Sequence, residues 1–298
     1  MNSQNVLHHT LNRAIGRGLF LTARILVILL ALQTSAQSVR YRRLPRGVVE
    51  SRLSKYAGNN DQREVTLREI FSESGCDSRH LSEQFINHLK QPNVICLLPG
   101  TSRRVIIVGA HFDHVPTSDG VVDNWTGASL LPSLYEAVKE EPRRHSYIFI
   151  GFAGEEAGEI GSHFYAQSMT KEEVAATDAM VNMDTLGLGP TKVWGSHSDK
   201  LLMGRLTYVA KRLDVPVGIV DVEQVGSSDS EQFAARKIPC ITFHSLTQET
   251  WEAKIIHTPK DKISAVRIND YYQTYNLLAA YIAFLDQITG QSTSASEP

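Results

Sequence analysis

The sequence lacks a strong charge of either sign. Its 298 residues include 30 lysines and arginines and 32 aspartates and glutamates, which gives a formal net charge of -2 with histidine neutral. It also lacks long basic or acidic runs and internal repeats. Nothing therefore favours nucleic acid as a partner or a repeat architecture. The apolar content of 42% is ordinary for a globular protein and is enough for a substantial core.

The N-terminal apolar run, residues 25–32 (ILVILLAL), is too short to span a bilayer comfortably. Three arginines precede it and the small-residue stretch QTSAQS follows it. This order is typical of a secretory signal peptide, here cleaved after Ala36. We predict that residues 1–36 are such a signal, that the protein is exported to the periplasm or the exterior, and that it keeps no stable membrane association after cleavage. An uncleaved N-terminal membrane anchor is the alternative.

Cysteine is scarce, with three residues in the chain. At most one disulfide can form, and Cys76 in a turn and Cys96 at the end of a strand are a candidate pair. Cys240, in KIPCITF, has the setting of a small buried hydrophobe. We expect no catalytic role for any cysteine.

Strand and helix patterns alternate from about residue 104 to the end of the chain. Runs rich in β-branched and aromatic residues, such as RRVIIVGAH and HSYIFIGF, alternate with amphipathic segments such as KLLMGRLTYVAKRLD. This predicts one domain over residues 37–290, a three-layer α/β/α fold with a mainly parallel, mixed central sheet. Two helices broken at AGNND and a hairpin should precede the alternation. Pro132 should interrupt or open a helix, and residues 291–298 should be a disordered tail.

Residue types that bind metals follow several of the predicted strands. They are His111 and Asp113 in GAHFDH, Asp123 in VVDNWTG, Glu155 and Glu156 in GFAGEE, Asp184 in NMDTLG and His257 in IIHTPKD. Because the carboxyl ends of parallel strands share one edge of a sheet, we expect these side chains to converge. Imidazole and carboxylate ligands suit zinc, and less strongly cobalt or manganese. Five ligands suggest two cations that share a carboxylate, and no HExxH motif is present.

Five motifs in order, GAHFDH, DNWTG, GEE, NMDTLG and HTPKDKIS, resemble the co-catalytic zinc aminopeptidases of the bacterial leucine aminopeptidase type. These belong to a zinc-dependent exopeptidase superfamily that also includes glutaminyl cyclases. The resemblance runs from about residue 93 to the last helix, and it implies the phosphorylase/hydrolase-like zinc exopeptidase fold and two Zn²⁺ per chain. One zinc would be held by His111 and Asp184. The other would be held by Glu156 and His257, with Asp123 bridging the two.

The same resemblance implies a metallo-aminopeptidase that hydrolyses the N-terminal bond of peptides with a free N-terminus. A bridging metal-bound hydroxide would attack the carbonyl, with Glu155 as general base and Asp113 orienting His111. A glutaminyl-peptide cyclase of the same fold with a single zinc is the alternative. Cyclases resemble one another in having a tryptophan before the last histidine ligand, where this chain has Ile256. A non-catalytic member of the family is disfavoured because all six metal and base positions are filled. The oligomeric state is not predicted.

Three positions depart from the pattern of these relatives. Trp125 stands where a small residue is usual, and it either narrows the substrate pocket or packs on the first helix. Residues 228–230 read Ser-Asp-Ser where relatives have Ser-Asp-His. Glu159 and Ile160 replace leucine-like residues, and we expect Glu159 to face water.

Overall fold

The computed structural model describes residues 39–288. The predicted signal peptide, residues 1–36, and the predicted tail, residues 291–298, lie outside the described residues. Among residues 39–288, none of the helices combines the length and the apolar character needed to cross a bilayer.

The described residues form a chain of alternating helices and strands. The helices are α1 (Arg46–Leu53), α2 (Asn60–Glu73), α3 (Thr126–Val138), α4 (Ile160–Ser168), α5 (Lys171–Ala176), α6 (Lys200–Leu213), α7 (Ser230–Ala234), α8 (Gln248–Glu252) and α9 (Ile268–Ile288). The strands are β1 (Leu81–Gln84), β2 (Asn93–Leu98), β3 (Val105–His111), β4 (Ser146–Phe152), β5 (Thr177–Met183), β6 (Lys192–Val193), β7 (Gly218–Ile219) and β8 (Cys240–His244).

The strands form one mixed sheet in the order β1-β2-β4-β3-β5-β8-β6-β7. The central strands β4, β3, β5 and β8 run parallel to one another. The hairpin β1–β2 adds two antiparallel strands on one side, and β6 joins β8 antiparallel on the other. The predicted mainly parallel, mixed sheet is thus confirmed.

Apolar side chains cover both faces of the sheet. In β3, Ile106 and Val108 belong to the larger core cluster, which includes residues of α1, α2, α3, α6 and α9. The intervening Ile107 belongs to a second cluster, which includes Ala166 of α4 and Phe233 of α7. Successive side chains of a strand point to opposite faces, so helices lie on both sides. This confirms the three-layer α/β/α fold.

The segment before the central sheet also follows the predicted pattern. Helices α1 and α2 are separated by a break, and Asn59 caps α2 by accepting a hydrogen bond from the backbone N–H of Gln62. A disulfide between Cys76, three residues after the end of α2, and Cys96 of β2 joins the end of that helix to the sheet. The pairing left open by the sequence is therefore present.

The prediction that Pro132 interrupts or opens a helix is wrong. Helix α3 runs through Pro132, which is its seventh residue. A proline in a helix interior costs about 3 kcal/mol. Twelve of the 13 residues of α3 are buried, so the packing of this helix in the core outweighs the lost backbone hydrogen bond.

Candidate metal centre

Three of the predicted ligands reach the site from the carboxyl ends of neighbouring strands. His111 is the last residue of β3, Asp184 directly follows β5, and Glu156 lies in the loop between β4 and α4. Since β4, β3 and β5 are adjacent and parallel, their ends meet at one edge of the sheet. The topology therefore brings these side chains together.

Two further ligand candidates come from loops that contact each other. Asp123 lies in the π-helical turn Val121–Trp125, and the Asp123–Asn124 peptide bond is cis. His257 lies in the loop before α9, in the left-handed region with a φ of 59°. Both carboxylate oxygens of Asp261, four residues after His257, accept backbone N–H groups of the turn, from Val122 at 2.6 Å and from Asp123 at 3.2 Å. Asp261 thereby ties the two loops together.

The five predicted metal ligands form two groups that share Asp123. In the first group, Nε2 of His111 lies 3.2 Å from Oδ1 of Asp123 and 3.6 Å from Oδ1 of Asp184. In the second group, Nε2 of His257 lies 3.1 Å from Oδ2 of Asp123 and 3.0 Å from Oε2 of Glu156. The two oxygens of one carboxylate thus face different histidines.

This geometry fits metal ions. Tetrahedral zinc with bonds of about 2.0–2.1 Å places neighbouring ligand atoms about 3.3 Å apart. The four nitrogen–oxygen distances of the two groups lie between 3.0 and 3.6 Å. In addition, Nε2 of His111 and Oε1 of Glu156 are buried without a hydrogen-bond partner among the described residues. Buried polar atoms are normally satisfied, so a cation would complete both groups.

Neighbouring groups of opposite charge shift the pKa values of His111, His257 and Asp123. Hydrogen bonds with Asp123 and Glu156 raise the pKa of His257 to about 10. Burial alone would lower the pKa of His111, but the charge of Glu155 and the contacts with the other carboxylates raise it well above its usual value. Burial opposes ionisation of Asp123, yet the two histidines hold its pKa well below the usual range. The raised pKa values of the two histidines reflect the carboxylates around them, and the lowered pKa of Asp123 reflects the two histidines.

Glu155 belongs to neither ligand group but lies beside the first. Its Oε2 is 3.9 Å from Nε2 of His111. Burial raises the pKa of Glu155 to about 10, and the negative charges of Asp184 and Asp229 act in the same direction, against that of His111. A carboxylate in this position has a high affinity for a proton and is held close to the ligands without being one of them.

Asp113 contacts His111, although mainly through its backbone. Nδ1 of His111 lies 3.3 Å from the carbonyl oxygen of Asp113 and 3.6 Å from its carboxylate oxygen Oδ1. The carboxylate itself accepts the backbone N–H groups of Glu155 and Glu156, both at 3.2 Å. Asp113 therefore holds the glutamate turn as well as the histidine, a contact that the sequence did not indicate.

The three departures from the pattern of the relatives have different outcomes. Trp125 is fully buried and donates its indole N–H to the carbonyl of Arg52 in α1 at 3.2 Å, so it packs on the first helix. The expectation that Glu159 faces water is wrong. Glu159 is 6% exposed, because its carboxylate accepts hydrogen bonds from Ser227 and, at 2.7 Å, from Gln232. These bonds offset the cost of its burial.

The Ser-Asp-Ser segment, residues 228–230, lies beside the candidate metal centre. Ser228 donates to Oδ2 of Asp184 at 2.9 Å, and neither carboxylate oxygen of the buried Asp229 has a hydrogen-bond partner among the described residues. Burial raises the pKa of Asp229 to about 7. Sequence reasoning noted this segment only for its missing histidine and did not identify Asp261. The one sequence signal for Asp261 was its position four residues after His257.

The chain is similar in sequence and in fold to several known proteins. The chain is 28% identical over 187 residues to the Aminopeptidase YwaD of Bacillus subtilis, an alignment that covers 60% of this chain and 40% of that protein. The crystal structure of BSAP, a zinc aminopeptidase from Bacillus subtilis, superposes with a TM-score of 0.59 at 25% identity, covering 64% of this chain and 49% of that one. A glutaminyl cyclase from an Acidobacteriales bacterium superposes with a TM-score of 0.71 at 16% identity, covering 86% of this chain and 99% of that one. At that identity the last likeness shows the fold alone.

The sheet and its clustered ligand candidates define the class as an α/β protein with a candidate metal centre at the carboxyl ends of its central strands. The chain belongs to Peptidase family M28, whose model matches residues 93–282. This confirms the resemblance drawn from the five motifs. The chain spans less than half of the length of Aminopeptidase YwaD.

Proposed function

We propose that this protein is a zinc-dependent aminopeptidase with two zinc ions per chain. The observation that carries the proposal is the pair of histidine–carboxylate groups that share Asp123, with Glu155 beside them and in neither group. The similarity to a zinc aminopeptidase from Bacillus subtilis supports zinc as the metal and peptides with a free N-terminus as the substrates.

The ligands divide between the two ions by their positions. His111 and Asp184 would hold one ion, Glu156 and His257 the other, and Asp123 would contact both through its two oxygens. When bound, such ions would supply Lewis-acid chemistry to the scissile carbonyl and to a water molecule.

Glu155 would be the general base. The positive charge of bound ions would lower the pKa of Glu155, so that its carboxylate would take a proton from the attacking water and then pass it to the nitrogen of the leaving amine. The hydrolysis thus consumes one water and yields an amino acid and a shortened peptide. Asp113 would support this step by fixing the backbone of the turn that carries Glu155.

The substrate would approach from the side of His257. The side chain of His257 is 49% exposed, whereas that of His111 is 1% exposed. The first histidine–carboxylate group is therefore more buried than the second, in which His257 opens to solvent. A peptide N-terminus has access only where a ligand group is open, so we assign the substrate side to the His257 loop.

We also propose that the protein works outside the cytoplasm. The disulfide between Cys76 and Cys96 supports this location, since structural disulfides persist in oxidising compartments and are rare in the cytosol. The predicted signal peptide is a second argument from the sequence alone.

A single assay tests the proposed activity against the cyclase alternative. Zinc-loaded and chelator-treated protein is incubated with aminoacyl-nitroanilides and, in parallel, with glutaminyl peptides. We expect nitroaniline release that is abolished by the chelator, and no cyclisation. Cyclisation without nitroaniline release would overturn the proposal. In the same assay Glu155→Gln should keep both zinc ions and lose at least about 100-fold in kcat, and wild-type turnover in this variant would remove Glu155 as the base.

A further inference from the structure

Arg63 of α2 is a fully buried arginine that binds main-chain carbonyls. Its Nε donates to the carbonyl of Tyr56 at 3.2 Å, and its Nη1 donates to that of Phe112 at 3.2 Å. Its Nη2 donates to the carbonyls of Asp119 and, at 3.0 Å, of Gly120. A guanidinium group offers five N–H donors in a rigid planar fork, and four carbonyl acceptors use nearly all of them.

Three of these carbonyls belong to the loop that joins His111 to the turn containing Asp123. Phe112 directly follows His111, and Gly120 directly precedes the turn that contains Asp123. The two nitrogens Nη1 and Nη2 of one side chain thus hold the two ends of the loop over residues 112–120 at a fixed separation. That separation sets the distance between His111 and Asp123, whose ligand atoms lie 3.2 Å apart.

A second residue of α2 holds the same loop. The side-chain amide of Asn60 accepts the backbone N–H of His114 at 3.1 Å and donates to the carbonyl of His114 at 3.3 Å. The loop closes tightly there, because a Cβ atom on Gly120 would lie 2.2 Å from Cβ of His114. At its outer end, Thr117 donates to the carbonyl of His257 at 3.0 Å. The loop over residues 112–120 therefore connects α2 with both ligand groups.

Burying a charged guanidinium group is costly unless its donors are satisfied. Burial lowers the pKa of Arg63 to about 10, against the opposing influence of Asp261, Asp113 and Asp123. The guanidinium carbon also lies 5.5 Å from the centre of the Trp125 ring. The positively charged guanidinium group of Arg63 thus contacts the backbone of the ligand-bearing loop and not the ligand side chains.

We propose that Arg63 is a positioning residue for the metal centre, which sets the affinity for zinc by fixing the His111 loop relative to the Asp123 turn. This inference rests on the proposed metal site but not on peptidase activity. Helix α2 lies outside residues 93–282, the part that matches the family model. Helix α2 would thus support the metal site from outside that part of the chain.

The test compares Arg63→Lys with Arg68→Lys in the full chain. Lysine keeps the positive charge but lacks the planar fork, so it cannot hold all four carbonyls. Arg68 lies on the same helix with its side chain 40% exposed and bonds Glu83 at 3.0 Å, which makes it a matched control. The zinc dissociation constants are measured on folded protein by competition with a chromophoric chelator, and the Tm of the metal-free protein is measured in parallel.

We expect Arg63→Lys to raise the zinc dissociation constant about 10- to 100-fold, as the loss of ligand-orienting contacts generally does, with Arg68→Lys unchanged. A lower Tm with an unchanged dissociation constant would overturn the inference and leave a purely structural role. If Arg63→Lys does not fold, Asn60→Ala, which removes only the contact with His114, must raise the dissociation constant for the inference to stand. Wild-type protein that binds no zinc would overturn the proposed metal site itself, which separates the two failures.

Discussion

The carboxylate of Asp113 accepts a hydrogen bond from the backbone N–H of Glu155 at 3.2 Å. Its second oxygen accepts the N–H of Glu156 at the same distance. Hydrogen bonds to a charged group contribute about 1.5–3 kcal/mol each. An acid expected to orient a histidine ligand therefore also fixes the turn that carries the proposed base and one further ligand.

Asp113→Asn should weaken this turn. An asparagine oxygen can accept one N–H, but its amide group faces the other N–H as a donor. We expect kcat on an aminoacyl-nitroanilide to fall about 10- to 100-fold, while the protein stays folded and retains zinc. Asp119→Asn, an exposed acid six residues further along the chain, is the control and should leave kcat unchanged. A wild-type kcat in Asp113→Asn would show that these two hydrogen bonds do not matter for turnover.

A chelator should remove the two zinc ions one after the other. The half-exposed His257 belongs to one group and the buried His111 to the other, so the ion held by His257 should be removed first by increasing chelator. Zinc content measured against chelator concentration should show two steps. His257→Ala should lower the zinc content from about two to about one per chain, because three protein ligands are the usual minimum for a site.

His80→Ala, which changes a histidine bonded to Asp77 and not to the ligand groups, should keep the wild-type zinc content. Loss of all zinc in a single step would contradict the difference in exposure between the two groups.

The disulfide predicts a defined thiol content. Protein produced under oxidising conditions and denatured without reductant should show one reactive thiol, that of Cys240, and three after reduction. Cys76 and Cys96 are 20 residues apart, and closing a loop of this length should stabilise the fold by about 3 kcal/mol. The double variant Cys76→Ser, Cys96→Ser should lose this amount in urea unfolding. Three reactive thiols without reductant would contradict the pairing.

His244 predicts an acid-sensitive stability. Its Nε2 donates to the carbonyl of Val220 at 2.9 Å, and its Nδ1 accepts the N–H of Leu246 at 3.1 Å. Burial lowers the pKa of His244 to about 4, and protonation would remove the acceptor for Leu246. The unfolded chain binds this proton near the ordinary pKa of about 6.5. The unfolded state therefore binds more protons between these values, and the stability present above pH 6.5 should be lost as the pH falls toward 4.

The size of this loss should be about 3 kcal/mol at most, since each unit of pKa shift corresponds to about 1.4 kcal/mol. Urea unfolding of zinc-free protein at several pH values measures it, because zinc-free protein has no ligand protonation linked to metal release. His244→Gln should flatten the dependence in this range, and an equally steep dependence in that variant would contradict the assignment.

The parts of the fold that follow from periodicity could be predicted from the sequence. The β-branched run of β3 and the amphipathic pattern of α6 both lie within one residue or two of their predicted places. A strand of two residues such as β6 carries too little pattern to be recognised or bounded. The error at Pro132 has a different origin, because local propensity does not include the energy of packing a helix into the core.

The ligands were predictable because each follows a strand or stands in a distinctive turn. Arg63 and Asn60 gave no such signal, since their contacts with the loop over residues 112–120 are with main-chain groups more than 45 residues away. Glu159 was placed in water because an acid after a strand is usually solvated, and its partners Ser227 and Gln232 come from a distant segment. Contacts of this kind depend on tertiary structure and leave no local pattern.

The shared carboxylate of Asp123 is the central claim, and a crystal of the zinc-loaded protein tests it most directly. Anomalous diffraction at the zinc absorption edge should give two peaks, one between His111 and Asp123 and one between His257 and Asp123, with Glu155 coordinating neither. A single peak, or two peaks of which only one lies within coordinating distance of Asp123, would contradict the account.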